Sequence, residues 1–287
     1  ALLGRPAVLP APGVAEALSA RLVAEAGFEA VYMSGDGSSA VRLGMPDVGL
    51  LTMSEMADNA ARIADASGLP TIADADTGYG GPVNVRRTVQ AYERAGVAAI
   101  QIEDQDWPKR CGHLAGKRVI PAGEMAAKVK AAVDSRADPD LVVIARTDAI
   151  AVEGFAAALD RSALYREAGA DVVFVEAPTS REQLAAIGRR FDCPTMYNAS
   201  ASGRTPLLSQ AELTALGFAL AIYPGQAMFA AIAAIRAALR HIRETGGVLG
   251  MPVPMTSFTD YVALLGIDEV RAFEAAHGLP EDRRVGV

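Results

Sequence analysis

The 287-residue sequence predicts an α/β fold: a (β/α)8 barrel of the TIM type with a helical C-terminal extension. Two observations carry this. Short apolar or β-branched runs recur eight times, each followed by a longer stretch with helical spacing. Several of those stretches stop at Ala-Gly just before the next run, as a helix C-cap does. Strand–helix units repeated in this way close a parallel sheet on itself.

The strand runs are "AVLPAP" (7–12), "AVYMSG" (30–35), "TIADAD" (71–76), "AIQIED" (99–104), "LVVIARTD" (141–148), "VVFVEA" (172–177), "TMYNAS" (195–200) and "LAIYPG" (220–225). Amphipathic segments between them include residues 14–29, 84–97, 154–170 and 180–191. A doubly wound open sheet is the competing architecture. It usually carries G-x-G-x-x-G after its first strand, and "PAPGVAEA" does not match. With no low-complexity linker, residues 1–245 read as a catalytic barrel and 246–287 as a helical extension of the same domain.

Composition narrows the partners. The formal charge is −7 and no basic stripe is present, so nucleic acid is not the expected partner. A local cluster of cations could still hold a small anionic substrate. The longest apolar tract, residues 216–239, is interrupted by Tyr223, Pro224, Gly225 and Gln226, so it does not read as a membrane span. Two distant cysteines, Cys111 and Cys193, and an N-terminus without a signal-peptide pattern suggest a reduced, cytoplasmic setting.

Active sites of such barrels form at the C-terminal strand ends. Here those ends read Ser34-Gly35-Asp36, Asp74 and Asp76, Glu103 and Asp104, Arg146 and Asp148, Glu176, Asn198 and Ser200, and Tyr223. In "DADTGYGG" (74–81), Asp74 and Asp76 are two apart and can point the same way. Two carboxylates aimed at one spot repel unless a hard cation joins them, which suits Mg2+, with Mn2+ as a substitute. Glu103 can join them through water. Turn capping by Asp before Gly is the plainer alternative.

"KRCGH" (109–113) offers a cysteine and a histidine two apart, but no second such pair exists, so structural zinc is not expected. His241 and His277 stand alone in helical segments. Lys109, Arg110 and His113 around Cys111 suggest an acidified, reactive thiol. Cys193 reads as buried and inert. Arg146 can clamp a carboxylate in bidentate fashion, or pair with Glu176 or Asp148. Asn198 and Ser200 can donate to a second carboxylate.

Together "YMSGDGSSA", "LGMPDVGLLT", "DADTGYGG", "IEDQ…PKRCGH…GK", "IARTDA" and "GRTPLL" resemble the isocitrate lyase / phosphoenolpyruvate mutase superfamily, most closely its 2-methylisocitrate lyase-like branch, over residues 10–245. The resemblance implies a C-terminal helix exchanged between paired subunits, usually within a homotetramer. It implies Mg2+ on Asp74, with Asp76, Asp47 and Glu103 acting largely through water. It places a substrate carboxylate on the Ser34-Gly35-Asp36 backbone and Arg146, with Tyr32, Gly112, Asn198 and Ser200 also against the substrate. It makes Cys111, on a closing loop, the acid that protonates the departing carbanion. Lys109, Arg110, His113, Arg146 and Glu176 complete the catalytic group.

The implied reaction is retro-Claisen cleavage of a 2-hydroxy di- or tricarboxylate into a 2-oxo acid and a carboxylate. A carboxyphosphoenolpyruvate-type phosphonomutase and an oxaloacetate hydrolase or decarboxylase are the enzymatic alternatives, and a non-catalytic binding barrel is the other. The chain departs from the superfamily pattern twice. Phe229 stands where tricarboxylate-cleaving members carry arginine, and Arg204 stands near a lysine of the members acting on substituted malates and of the carboxyphosphoenolpyruvate mutases. Both differences lean towards a smaller diacid. Asp36 stands where a small residue is common, and adds charge beside the carboxylate site if it faces inward.

Overall fold

A computed structural model describes residues 1–200, 202 and 204–286. Gly203 of the "GRTPLL" motif and Val287 at the end of the extension lie outside the described residues. The chain divides into two compact units, Ala1–Met228 and Phe229–Val287.

The first unit is a closed barrel of parallel strands in sequence order. They are β1 (Leu9–Val14), β2 (Val31–Met33), β3 (Thr71–Asp74), β4 (Ala99–Glu103), β5 (Val142–Thr147), β6 (Val172–Val175), β7 (Thr195–Asn198) and β8 (Leu220–Tyr223). Pairing of β1 with β8, Leu9 opposite Leu220, closes the ring. The helices between them are α1 (Ala17–Glu25), α2 (Gly35–Leu43), α3 (Met53–Ser67), α4 (Pro82–Arg94), α5 (Ala122–Ser135), α6 (Ile150–Glu153), α7 (Phe155–Glu167), α8 (Arg181–Arg190) and α9 (Gln210–Leu216).

Strand alternation decides which side chains reach the site. Leu9, Ala11, Tyr32, Ile72, Ile144, Phe174, Met196 and Ile222 fill the barrel interior. Their neighbours Met33, Ala73, Ile100, Ile102 and Val143 face outward and pack with Met56, Ile63, Tyr92 and Met125 from the helices. Fully burying one such large apolar side chain stabilises the fold by about 1.5–3 kcal/mol. Stepping by two from the interior positions reaches Ser34, Asp74, Asp76, Glu103, Arg146, Asp148, Glu176, Asn198 and Ser200. Asp104 and Thr147 have the opposite parity.

The Ala-Gly stops are real. α1, α4 and α7 end at Ala26, Ala95 and Ala168, and Gly27, Gly96 and Gly169 follow at φ 80, 78 and 107. The sequence reading extended the second strand through Gly35, and the structure corrects this. Ser34 is the N-cap of α2, its Oγ accepting from the Gly37 N–H at 3.1 Å. A serine before small residues favours that cap over continued strand.

The second unit holds α10 (Gln226–Thr245) from Phe229 onward, then α11 (Phe258–Leu264) and α12 (Ile267–Ala276). None of these helices has a buried residue, and Phe229, Ile232, Ile235, Leu239 and Ile242 form an exposed apolar stripe along α10. Among the described residues, His241 and His277 hydrogen-bond only to nearby backbone carbonyls, of Leu249 and Phe273. No helix among the described residues is long and apolar enough to cross a membrane.

Candidate active site

The end of β3 builds one side of the site. Asp74 Oδ1 accepts from the Asp76 N–H at 3.0 Å, and Asp76 holds φ 50, a left-handed conformation uncommon outside glycine. Gly35 lets the chain approach: a Cβ there would stand 2.6 Å from Asp74 Oδ2. Across the barrel, the Arg146 guanidinium meets three carboxylates. Its Nε lies 2.9 Å from Asp148 and 3.3 Å from Glu103, and its Nη2 lies 3.4 Å from Glu176. Phe174 supports it from below at 5.2 Å. Among the described residues, Nη1 makes no hydrogen bond or ion pair. Asn198 Nδ2 donates to Glu176 Oε2 at 3.1 Å. Beneath these groups the Tyr32 hydroxyl donates to Gln101 Oε1 at 3.3 Å.

The 104–117 loop folds over this rim. Lys109 is 2 % exposed, and its Nζ lies 2.6 Å from Asp47 Oδ1 and 2.5 Å from Asp76 Oδ1. The Cys111 N–H donates to the Asp47 carbonyl at 3.0 Å. Gly112 packs onto Arg146 so closely that a Cβ would meet Nη2 at 2.2 Å and Glu176 Cγ at 3.0 Å. His113 Nε2 lies 3.3 Å from Glu176, and its Nδ1 is 2.8 Å from Ser202 Oγ. Lys117 Nζ bonds Asp148 Oδ1 at 2.9 Å and also reaches the Gly112 carbonyl.

Burial governs the titration of these groups. It pushes the Asp76 carboxyl up to about 7 against the pull of Lys109, and the carboxylates of Asp74 and Asp47 add to the rise. Burial likewise holds Glu103 well above the usual carboxylate range, although Arg146 opposes it. Asp148 is buried too, but Arg146 and Lys117 outweigh that and hold it at about 2. Glu176 is lowered in the same way, burial being outweighed by Arg146 and His113.

Cys111 departs from the sequence expectation. Burial drives its thiol up to about 11, and Asp36 and Asp47 push the same way. The His113 backbone N–H and Arg146 pull it down without outweighing burial, and the two cations next to it in sequence are turned elsewhere. Lys109 serves Asp47 and Asp76, while the Arg110 side chain turns to the Ala115 carbonyl. The thiol is therefore held protonated, which suits a proton donor and not a nucleophile. Asp36 does face inward: its carboxylate, that of Asp47 and the Cys111 sulfur offer ligand atoms all within 4.8 Å. Cys193 is only half-buried, and burial raises its thiol as well.

Among the described residues, Asp36, Asp47 and Cys111 are the one group whose three ligand atoms lie within 4.8 Å of one another, and Asp74, Asp76 and Glu103 do not form such a group. Asp36, Asp47, Asp74, Asp76, Glu103, Asp148 and Glu176 outnumber Lys109, Lys117 and Arg146, so the rim carries excess negative charge. Glu103 Oε1 is buried with no hydrogen-bond partner among the described residues. The donors around Asp74, Asp76, Asp47 and Glu103 are all carboxylate oxygens, the chemistry of a hard ion such as Mg2+.

The phosphoenolpyruvate phosphomutase family pattern matches residues 1–243. A 2,3-dimethylmalate lyase from Eubacterium barkeri is 46% identical over 276 residues, 95% of this chain and 94% of its own length.

The chain belongs to the phosphoenolpyruvate phosphomutase family.

Among solved structures, a 2,3-dimethylmalate lyase described as a PEP mutase/isocitrate lyase superfamily member superposes with a TM-score of 0.93 at 40% identity, covering 100% of this chain and 96% of its own. A phosphonopyruvate hydrolase in complex with oxalate and Mg++ superposes with a TM-score of 0.87 at 33% identity, covering 96% and 95%.

Within this family barrel, the residues expected at the site largely converge. Ser34, Gly35, Asp36, Asp47, Asp74, Asp76, Glu103, Arg146, Glu176 and Asn198 ring the mouth, and Cys111, Gly112 and His113 lie over it. Ser200 is buried beside them and accepts from the Ser202 N–H at 3.2 Å. Two positions differ from the reading. Arg110 is exposed and not brought to the site, because its backbone is pinned by Gln105 and its side chain caps its own loop. Lys109 neutralises Asp47 and Asp76 and does not stand free as a substrate cation.

Lys117 and Asp148 are two site residues that the sequence pattern does not single out, joined at 2.9 Å. The signal for Lys117 was the "GK" closing the loop motif. Asp104, counted with the rim, points outward, where Thr147, Tyr165 and Arg161 bond its Oδ2.

Proposed function

We propose that this protein is a Mg2+-dependent carbon–carbon lyase that cleaves a substituted malate of the 2,3-dimethylmalate type into a 2-oxo acid and a carboxylate. The observation that carries the reading is the protonated Cys111 thiol, held on a loop that packs onto Arg146 opposite a carboxylate cluster fit for a metal. The relative at 46% identity supplies the substrate class. The Phe229 and Arg204 departures favour a diacid over a tricarboxylate.

Asp74, with Asp76, Asp47 and Glu103 around it, would hold a divalent cation, whose charge would lower the pKa of a 2-hydroxyl group. Arg146 Nη1 and the N-terminal backbone of α2 at Gly35 and Asp36 hold the substrate carboxylates. The hydroxyl proton leaves to the carboxylate cluster, in which burial holds Asp76 and Glu103 above the usual range. The C2–C3 bond breaks, the oxygen electrons form the C2 carbonyl, and the bonding pair stays on C3. Cys111 then gives its Sγ proton to C3. His113 and the loop backbone close the site against water. With 2,3-dimethylmalate the products are pyruvate and propanoate.

The exposed stripe of α10 also favours exchange of that helix between copies, giving the homotetramer expected of the superfamily. A cytoplasmic location accords with the two unpaired cysteines.

Purified protein with Mg2+ is assayed on 2,3-dimethylmalate, 2-methylisocitrate, oxaloacetate and phosphonopyruvate, following 2-oxo acid, acetate and phosphate release. Turnover highest on 2,3-dimethylmalate supports the reading. Turnover confined to phosphonopyruvate or oxaloacetate overturns it.

A further inference from the structure

Beside the catalytic centre lies a second cavity of about 630 Å3 that none of the catalytic residues lines. Its walls are residues 49–53, 77, 79–81 and 105–107, with Ile120, Glu124 and Lys128 from the approach to α5 and α5 itself. The size is that of a small-molecule site. Leu51, Met53, Tyr79 and Trp107 give it apolar and aromatic walls.

Lys128 makes the cavity chemically specific. It is 3 % exposed, lines the cavity, and makes no hydrogen bond or ion pair among the described residues. An ammonium taken from water with no partner is costly, so buried charges are normally paired. The nearby acids do not meet that need. Glu124, Glu103 and Asp104 act on Lys128 only through space, with no ion pair among the described residues, and Asp106 is taken by Arg118 at 2.8 Å.

We propose that this cavity is a second binding site, separate from the catalytic centre, for an organic monoanion with an apolar body, its carboxylate on Lys128 and its tail against Trp107, Tyr79 and Leu51. One buried cation, with the Asp106 and Glu124 carboxylates also in the lining, excludes a polyanion, for which no further cation is provided, and the apolar walls take the body of the guest.

Trp107 is the sole tryptophan of the chain, so its fluorescence reports the cavity directly. Hexanoate is titrated against hexan-1-ol, with and without excess oxalate and Mg2+. The expected result is a saturable hexanoate response with a Kd of about 1 mM or tighter, at least about tenfold tighter than hexan-1-ol and retained in the presence of oxalate. Lys128→Met removes that preference and Lys128→Arg keeps it. A wild-type response that does not saturate, equal affinity for the alcohol, or a response abolished by oxalate overturns the proposal. The first two readings need no variant, so they hold even where Lys128→Met fails to fold.

Discussion

Lys109 Nζ stands 2.5 Å from Asp76 Oδ1 and 2.6 Å from Asp47 Oδ1, so one buried ammonium from the covering loop joins two carboxylates of the rim. The loop that carries the proton donor thus also neutralises the acids expected around the metal. Replacing Lys109 by Met leaves both acids buried and unpaired. Removing one partner of a buried ion pair costs about 3–5 kcal/mol, so the urea midpoint of Lys109→Met falls sharply without metal. Added Mg2+ restores more stability to the variant than to the wild type, because it binds only the folded state. Equal Mg2+ stabilisation of both proteins contradicts this role.

Asp76 sets a pH dependence. Its folded pKa of about 7 lies above the ordinary aspartate value of 3.8. Between these values the folded chain holds a proton that the unfolded chain has released. Its contribution to stability therefore falls as pH rises from about 4 to about 7 and levels off above that. A cation must displace the same proton, so Mg2+ affinity rises through about pH 7. Calorimetry at about pH 6 and about pH 8 in two buffers detects the released proton. Affinity independent of pH excludes Asp76 from the metal environment.

Cys111, held at about 11, stays protonated throughout the neutral range. Iodoacetamide labelling is slow at about pH 8 and accelerates only in strong alkali, the reverse of an acidified thiol. Cys111→Ser lowers kcat by about two to four orders of magnitude while leaving Mg2+ affinity nearly unchanged. A matching loss of metal affinity makes the thiol a ligand instead.

Gly112 permits the loop to lie down. An alanine methyl would meet Arg146 Nη2 at 2.2 Å and backbone must move to relieve it. Misplacement by about 1 Å can cost about 100-fold, so Gly112→Ala lowers kcat/KM by that order. The melting temperature, set by the barrel, changes little. Unchanged kinetics show that the closed loop is dispensable.

Glu103 and Asp104 test the two faces of one strand. Glu103→Gln weakens Mg2+ binding and leaves the fold intact. Asp104→Asn strips the outward network of Thr147, Tyr165 and Arg161 and lowers stability by about 1–3 kcal/mol, with metal affinity preserved. Denaturation curves and metal titrations of both variants separate the effects.

That contrast also marks how far the sequence was legible. The eight strands and the Ala-Gly stops follow from local rules, so the barrel and its polar rim could be read directly. Orientation past a strand end could not. Asp104 follows Glu103 by one residue, and only the completed barrel shows that it faces Arg161. The electrostatics of the loop were misjudged for a related reason. Cations next to Cys111 in sequence suggested an acidic thiol, whereas in space they serve Asp47, Asp76 and Ala115, and two acids remote in sequence surround the sulfur. Net effects of burial on Asp76 and Cys111 depend on packing that no local pattern encodes.

The central claim is that the C2–C3 bond of a substituted malate is broken here and the carbanion is protonated by Cys111. Wild type and Cys111→Ser are incubated with 2,3-dimethylmalate and Mg2+ in D2O, and products are followed by proton and deuterium NMR. The account predicts pyruvate and singly deuterated propanoate in equal amounts from the wild type, and a collapse of both in the variant. Absence of 2-oxo acid from the wild type, or undiminished deuterated propanoate from Cys111→Ser, contradicts it.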